Sequence, residues 1–248
     1  MPTSTLTKRR PPAIEIGKPP GAARTVSSLF ATLPIARPQR QSTPLEKPNI
    51  FANSTANKLR IASPGTDAHE ARVTAYSADF LHEFYKEIGL PSKYGADSKR
   101  HVEFLRRYAN KHDIGKYPIA SIVNKPGKLS AKEFRVVQQH PLLGAILLDG
   151  EPVQTKILAL RHHERPDGKG YPTGTRVIDA FSSIVAIADA VDAMITRPYS
   201  EIRTYPERKK IAWVTRELRK HAGTQFDPFL AGKFAEMLED KRIRLKSA

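Results

Sequence analysis

Apolar residues recur at three- and four-residue spacing along most of the chain after residue 69, and this period most constrains the fold. The first stretch, 69–90, carries an apolar face made of Val73, Tyr76, Phe80, Phe84 and Ile88. Gly89 and Pro91 end that stretch. No run alternates between apolar and polar residues as a strand does. The sequence therefore predicts an all-α bundle.

Capping and breaking residues place the other helices. Ser98 is a candidate N-cap, Ser130 and Glu133 form a capping box, and Asp227 precedes Pro228 as an N-cap. We expect helices over 98–112, 130–140, 141–149, 157–161, 178–195, 206–221 and 227–240. The stretch 178–195 is apolar on most sides, which indicates a central, buried helix.

The first 60 residues differ from the rest of the chain. They contain ten Lys and Arg, two Asp and Glu, and nine of the 20 prolines. We expect residues 1–60 to form a disordered, Pro-rich basic tail. Such a tail favours contact with nucleic acid, an anionic membrane surface or an acidic protein. A solvated linker with no specific partner is the alternative.

Composition excludes several classes of function. The chain has no cysteine, so disulfides and thiolate chemistry are excluded, and a metal must be held by His, Asp or Glu. Its apolar runs are far shorter than the roughly 18 to 20 residues of a membrane-spanning helix. It also lacks the pattern of a cleaved secretion signal. We therefore expect a soluble, cytoplasmic protein without a transmembrane segment.

Histidine and aspartate stand repeatedly at the ends of the apolar helices. Burying an ionised carboxylate such as Asp189 costs several kcal/mol unless it is paired or coordinates a cation. A salt bridge to a nearby Arg or Lys is the simpler alternative for Asp189. Together, five His and two Asp could cage two first-row divalent metals. These candidate ligands are His69, His112, Asp113, His140, His162, His163 and Asp189.

The pair His112-Asp113 is followed by Ile114, Gly115 and Lys116. Glycine would permit a tight exit from the preceding helix. Lys116 would then place a cation beside the pair. Isolated histidines are more often satisfied or exposed side chains, so His82, His101 and His221 are not chosen as ligands.

The segment 161–172, with the sequence RHHERPDGKGYP, resembles the signature of the HD-GYP family of cyclic di-GMP phosphodiesterases. Other motifs agree in order along the chain: HEARV at 69–73, HDIGK at 112–116, KPGKL at 125–129, QHP at 139–141, IAD at 187–189, RPY at 197–199 and GTQFDP at 223–228. The resemblance covers roughly 69–235. It implies that residues 61–248 form an HD-type helical catalytic domain.

The resemblance implies a site with two divalent metals, Fe or Mn, in which Asp113 bridges both ions. His69, His112 and Asp189 would hold one metal. The other would be held by His140, His162 and His163. A water between the ions would be deprotonated and attack phosphorus in line.

The implied reaction is hydrolysis of cyclic di-GMP to linear pGpG, with a further cut to GMP left open. Lys116 would stabilise charge on the phosphoryl oxygens. Arg197 would hold a substrate phosphate, and the loop of Gly170, Tyr171 and Pro172 would shape the site.

The chain departs from the family pattern at several positions. His69 precedes His112 by 43 residues, about ten more than is usual in the family, and His82, at a spacing of 30, is the fallback ligand. A further carboxylate ligand of three-metal members would fall on Gly65, so we expect two metals. The Arg-Pro-Tyr motif lies one residue nearer Asp189 than usual, and Ser200 follows it.

Two alternatives stay open at this point. The chain could be a catalytically weak cyclic di-GMP receptor or interaction module, in which the GYP loop and the basic tail contact a diguanylate cyclase or another protein. It could also be an HD hydrolase that acts on another phosphoester, since metal clamps recognise phosphate more than base.

Overall fold

The described part of the chain is mainly helical, and it contains no strand beyond one isolated bridge. The structure is a computed structural model that describes residues 66–90, 98–196, 207–240 and 242. Its α-helices are α1 (Thr66–Ile88), α2 (Ser98–Tyr108), α3 (Ala120–Val123), α4 (Ala131–Val137), α5 (His140–Leu147), α6 (Val153–Arg161), α7 (Ala180–Thr196), α8 (Glu207–Lys220) and α9 (Pro228–Glu239). The prediction of an all-α fold is confirmed.

One part of the sequence analysis, the basic tail, concerns residues beyond these ranges. The predicted tail, 1–60, lies outside the described residues, so its disorder stays a prediction. Within the described ranges, no helix is both long and apolar enough to cross a membrane.

The apolar period of α1 builds the centre of the fold. Val73, Tyr76, Phe80, Phe84 and Ile88 are each at most 2% exposed, as their shared helical face predicts. They belong to a large core, which is formed by buried apolar residues of α1, α2, α7, α8 and α9 together with Leu158 of α6. Burial of such side chains is the main favourable contribution to folding.

The predicted caps of two helices are present in the structure. Ser130 Oγ accepts from the backbone N–H of Glu133, and Glu133 Oε2 accepts from the backbone N–H of Ser130 over 2.7 Å. Asp227 Oδ1 accepts from the backbone N–H of Leu230 over 2.9 Å and so caps α9. These contacts satisfy amide groups that have no partner within their own helix.

Several helical elements differ from the predictions. The helix predicted over 98–112 ends at Tyr108 and continues as a 3-10 helix, Ala109–Lys111. A second 3-10 helix, Ile114–Ile119, contains Pro118, which has no backbone N–H to donate within an α-helix. Helix α6 begins at Val153, four residues earlier than predicted, directly after Pro152.

A second apolar cluster lies apart from the large core. This small core consists of Ile114, Tyr117, Leu148 and Ala159. It lies where the second 3-10 helix packs on α5 and α5 packs on α6. The predicted metal ligands between residues 112 and 163 therefore belong to a part of the fold with few buried apolar side chains.

Candidate metal centre

All seven side chains that the sequence singled out as metal ligands converge in the structure. In each of two sets, one candidate ligand atom from every residue lies within 4.8 Å of the others. The first set is His69, His112 and Asp189, and the second set is Asp113, His140, His162 and His163. The two sets agree with the division that the HD-GYP resemblance implied.

Asp113 lies between the two sets and faces both of them. Its Oδ2 is 3.4 Å from His69 Nε2 and 3.4 Å from His112 Nε2. Its Oδ1 is 3.2 Å from His140 Nε2 and 3.5 Å from His162 Nε2. One carboxylate oxygen is therefore directed at each set, which is the arrangement that a bridging ligand requires.

Hydrogen bonds to the backbone orient three of the imidazoles. In His112, His140 and His162, Nδ1 lies 2.8, 2.7 and 2.8 Å from the carbonyl oxygen of the residue three positions earlier. Because a carbonyl oxygen only accepts, each Nδ1 carries a proton, which leaves Nε2 as the nitrogen that faces the centre and could bind a cation. Such outer contacts fix the tautomer and the ring direction of a metal-ligating histidine.

His69 reaches the centre from the first turn of α1. Its Nε2 is 3.1 Å from Asp189 Oδ1, and its Nδ1 is 2.7 Å from Asp192 Oδ2. His82, the fallback ligand, is exposed and belongs to neither set. The longer spacing before His112 therefore does not remove His69 from the centre, because α1 passes directly beside α7.

Gly115 lets the second 3-10 helix approach α5 at backbone contact. A Cβ atom at this position would lie 1.9 Å from the carbonyl oxygen of His140 and 2.5 Å from the backbone nitrogen of Gly144. The glycine does not have a positive φ, so our expected reason, a tight helix exit, is wrong. Close packing against His140 is the reason instead.

Lys116 lies on the exposed side of the centre. Its Nζ donates to Asp113 Oδ2 over 2.5 Å, and its side chain is 14% exposed. A cation therefore stands beside the His-Asp pair, at the position that the sequence predicted.

His162 and His163 are adjacent in sequence yet both face the centre, because α6 ends at Arg161. The His163 ring stacks on Tyr171 with 4.7 Å between the ring centroids. The backbone N–H of Tyr171 donates to the carbonyl oxygen of His163 over 3.2 Å. The GYP loop is thereby fixed against the second ligand set.

Glu164 holds the far end of this loop, a role that the sequence analysis did not assign. The side chain is 2% exposed, and its Oε1 accepts from the backbone N–H and the hydroxyl of Thr173, over 2.7 Å each. A Cβ atom on Gly170 would lie 2.6 Å from the Glu164 Cα. Arg197, Gly65 and Ser200 lie outside the described residues, so the role of Arg197 stays a prediction.

Burial and nearby charges shift the pKa values of the candidate ligands in opposite directions. Burial lowers the pKa of His69, but contacts with Asp113, Asp189 and Asp192 outweigh it and raise the pKa to about 11. Burial lowers the pKa of His162 to about 4. Burial also raises the pKa of Asp113, but the charges of Lys116 and His112 hold it well below the usual range of a carboxyl group.

Three buried polar atoms of the centre make no well-aligned hydrogen bond: His112 Nε2, Asp113 Oδ1 and Asp189 Oδ1, of which the two oxygens lie only beside imidazole nitrogens. An unsatisfied buried polar atom costs about 1–3 kcal/mol. A bound cation would satisfy all three, because each atom offers a lone pair. Imidazole nitrogen and carboxylate oxygen suit first-row divalent metals. The centre could therefore bind metal.

The comparisons with known proteins agree with this geometry. The model of the HD domain family matches residues 91–230. The chain is 37% identical over 157 residues to the cyclic di-GMP phosphodiesterase response regulator RpfG of Xanthomonas campestris pv. campestris, covering 60% of this chain and 40% of that protein. It is 37% identical over 133 residues to a cyclic di-GMP phosphodiesterase of Thermotoga maritima, covering 51% of this chain and 35% of that protein.

A third relative carries a different substrate in its name. The 3′3′-cGAMP-specific phosphodiesterase 2 of Vibrio cholerae is 32% identical over 182 residues, which cover 71% of this chain and 32% of that protein. The matches thus span a third to two fifths of these relatives. The names confirm the HD-GYP resemblance, and the family model spans more than half of the sequence. The chain therefore belongs to the HD domain family.

Proposed function

We propose that this protein is a metal-dependent phosphodiesterase that hydrolyses cyclic di-GMP to linear pGpG. The observation that carries the proposal is the position of Asp113, whose two oxygens face two separate sets of ligands. The names of the relatives from Xanthomonas campestris and Thermotoga maritima support the substrate.

We propose a centre of two divalent ions, Fe or Mn. Asp113 would bridge them, with His69, His112 and Asp189 on one ion and His140, His162 and His163 on the other. Bound divalent cations supply Lewis acidity, which polarises phosphoryl oxygens and makes water nucleophilic near neutral pH.

The other residues of the site would bind and orient the substrate. Lys116, which is partly exposed beside Asp113, would stabilise the charge that develops on the phosphoryl oxygens. The loop of Gly170, Tyr171 and Pro172 would border the substrate next to His163, where Tyr171 is already held by stacking. Arg197 would hold a second phosphate of the cyclic dinucleotide.

The first experiment is chromatography of cyclic di-GMP after incubation with full-length protein purified anaerobically and loaded with Fe(II) or Mn(II). The wild type should give linear pGpG, and any GMP in the same trace shows a second cut. Asp113→Ala should abolish turnover and lower the bound metal. Asp149→Ala is the matched control, because this aspartate is on the surface with 89% of its side chain exposed.

Assays with cyclic di-GMP, 3′3′-cGAMP and cyclic di-AMP in parallel test the identity of the substrate independently of the type of reaction. Preference for 3′3′-cGAMP would keep the phosphodiesterase and replace the nucleotide, as the name of the Vibrio cholerae relative suggests. Turnover by Asp113→Ala equal to that of the wild type would refute the metal-bridging role.

Tight nucleotide binding without turnover of any substrate, with metal bound, would favour the receptor or interaction module over the enzyme.

Contact of the tail with an anionic surface, association with a diguanylate cyclase and the cytoplasmic location stay predictions. Deletion of residues 1–60 should leave metal content and turnover of a soluble substrate nearly unchanged, and a large loss of either would show that the tail is part of the fold.

A further inference from the structure

Helices α1 and α7 meet at the metal centre through side chains spaced three residues apart on each helix. Residues at this spacing share a helix face, so His69 and Arg72 of α1 stand opposite Asp189 and Asp192 of α7. His69 contacts both aspartates, with its Nε2 at 3.1 Å from Asp189 and its Nδ1 at 2.7 Å from Asp192.

Arg72 fixes the carboxylate of Asp192. Arg72 Nε donates to Asp192 Oδ1 over 2.6 Å, and Arg72 Nη2 donates to Oδ2 over 3.1 Å. The Thr196 hydroxyl lies 3.3 Å from Oδ2, and the Asp192 side chain is fully buried. A fork of this kind sets both the charge and the orientation of a carboxylate. Asp192 is therefore an acceptor, and His69 donates to it through Nδ1.

His69 of the first set differs from three other imidazoles of the centre in the partner of its Nδ1. His112, His140 and His162 donate to neutral backbone carbonyls, whereas His69 donates to a carboxylate. A carboxylate partner makes an imidazole a stronger ligand. The first set contains the carboxylate of Asp189, and Asp113 Oδ2 also faces it at 3.4 Å from His69 Nε2 and from His112 Nε2, whereas Asp113 is the only carboxylate of the second set. The first set thus offers more negative charge to a cation.

We propose that Asp192, held by Arg72, is a positioning residue that makes the His69–His112–Asp189 position the tighter of two metal positions and the first to fill. This inference rests on the proposed metal centre and deepens it. Asp192 acts through His69 and contacts neither metal nor substrate in this arrangement.

The test is a titration of metal-free, full-length protein with Mn(II), in which free Mn(II) is measured by electron paramagnetic resonance. The wild type should show two distinct affinities. Asp192→Ala should weaken the tighter affinity by about 100-fold and Asp192→Asn, which keeps an acceptor, by about 10-fold. The weaker affinity should stay within twofold, and His69→Ala should remove the tighter step.

The controls separate this role from general loss of structure. Asp179→Asn replaces one of the two Asp179 oxygens that accept from Ser182 at the start of the same helix, and it should leave both affinities unchanged. Arg72→Gln should weaken the tighter affinity by about 10-fold, and it decides the question if circular dichroism shows that Asp192→Ala is unfolded.

Two results would overturn the inference: equal affinities in the wild type, or tighter affinities in Asp192→Asn and Arg72→Gln that match the wild type. A wild type that binds no Mn(II) at all would instead refute the proposed metal centre itself. The two failures are therefore distinguishable in one titration.

Discussion

The large core and the small core stabilise different parts of the molecule to very different degrees. The large core joins 26 buried apolar residues, so α1, α2, α7, α8 and α9 are fixed by ordinary packing. The small core has four, on the second 3-10 helix, directly after α5 and on α6, and these elements begin or end beside Asp113, His140, His162 and His163. Burial supplies roughly 25 cal/mol per Å² of apolar surface, which gives the small core little stability of its own. We therefore expect residues 112–163 to depend more on backbone contacts and, with metal bound at the proposed centre, on the cation.

The largest effect should come from a cavity in the large core. Phe234 is fully buried and stacks on Phe80 with 5.0 Å between the ring centroids. Phe234→Ala should lower the free energy of unfolding by about 3–5 kcal/mol in urea titration. Bound metal in the folded fraction should not change. Phe134→Ala, at a side chain 48% exposed, is the control with a cost below about 1 kcal/mol.

Removal of metal should destabilise the region around the small core, residues 112–163. At a free metal concentration of 100 times Kd, binding stabilises the folded state by about 2.7 kcal/mol. Amide hydrogen exchange after chelation should therefore quicken over residues 112–163 and stay slow in the apolar segments of α7 and α9. Equal acceleration in all helices would show that the two regions unfold as one unit.

Gly115→Ala should disrupt the close contact between the second 3-10 helix and the backbone of α5. The added methyl group would overlap the carbonyl oxygen of His140, so we expect a loss of about 1–3 kcal/mol together with lower metal content. Gly232→Ala is the control, because nothing lies within 4 Å of its Cβ position in α9. There the substitution should stabilise the helix by up to about 1 kcal/mol. Full metal content in Gly115→Ala would contradict the expected shift of His140.

A further effect concerns pH. Without metal, His69 has a pKa of about 11, so it is protonated near neutral pH and must lose a proton to bind a cation. Apparent metal affinity should therefore rise with pH between about 6.5 and 9, by up to tenfold per unit for each proton released. Calorimetry in two buffers of different ionisation enthalpy counts those protons. His69→Ala should release fewer, and an unchanged count would place the proton elsewhere.

In the metal-free protein, the same pKa has the opposite consequence for stability. Because the pKa of His69 is raised above its unfolded value, its contacts with the aspartates stabilise the fold fully below about pH 6.5. That contribution declines as pH rises towards about 11. The metal-free protein should thus lose stability over the pH window in which metal binding becomes stronger.

The sequence predicted the helices that carry a clear local signal. The capping box at Ser130 and the N-cap at Asp227 are interactions between residues three apart, so they can be predicted without tertiary contacts. The two 3-10 helices were missed, because short turns such as Ile114–Ile119 leave no apolar period. Their conformation is set by packing against α5.

The sequence predicted which residues come together at the site, but it did not predict the contacts between them. Motif order along the chain was enough to choose all seven ligands that the structure brings together. The contact of His69 with Asp192 spans 123 positions, so no local pattern contains it. The spacing of three between Asp189 and Asp192 was the available signal. Gly115 was chosen for its backbone freedom, whereas its effect is steric.

The end of α6 at Arg161 restricts where residues can be inserted without moving the metal ligands. Adjacent residues on a helix differ in direction by about 100°, so His162 and His163 both face the centre only while the helix stops just before them. One inserted residue within Val153–Arg161 would rotate both imidazoles away from Asp113. An insertion between the exposed residues Arg176 and Val177 would leave that angle unchanged. Length variation among homologous chains should therefore accumulate after the GYP loop and be absent from α6.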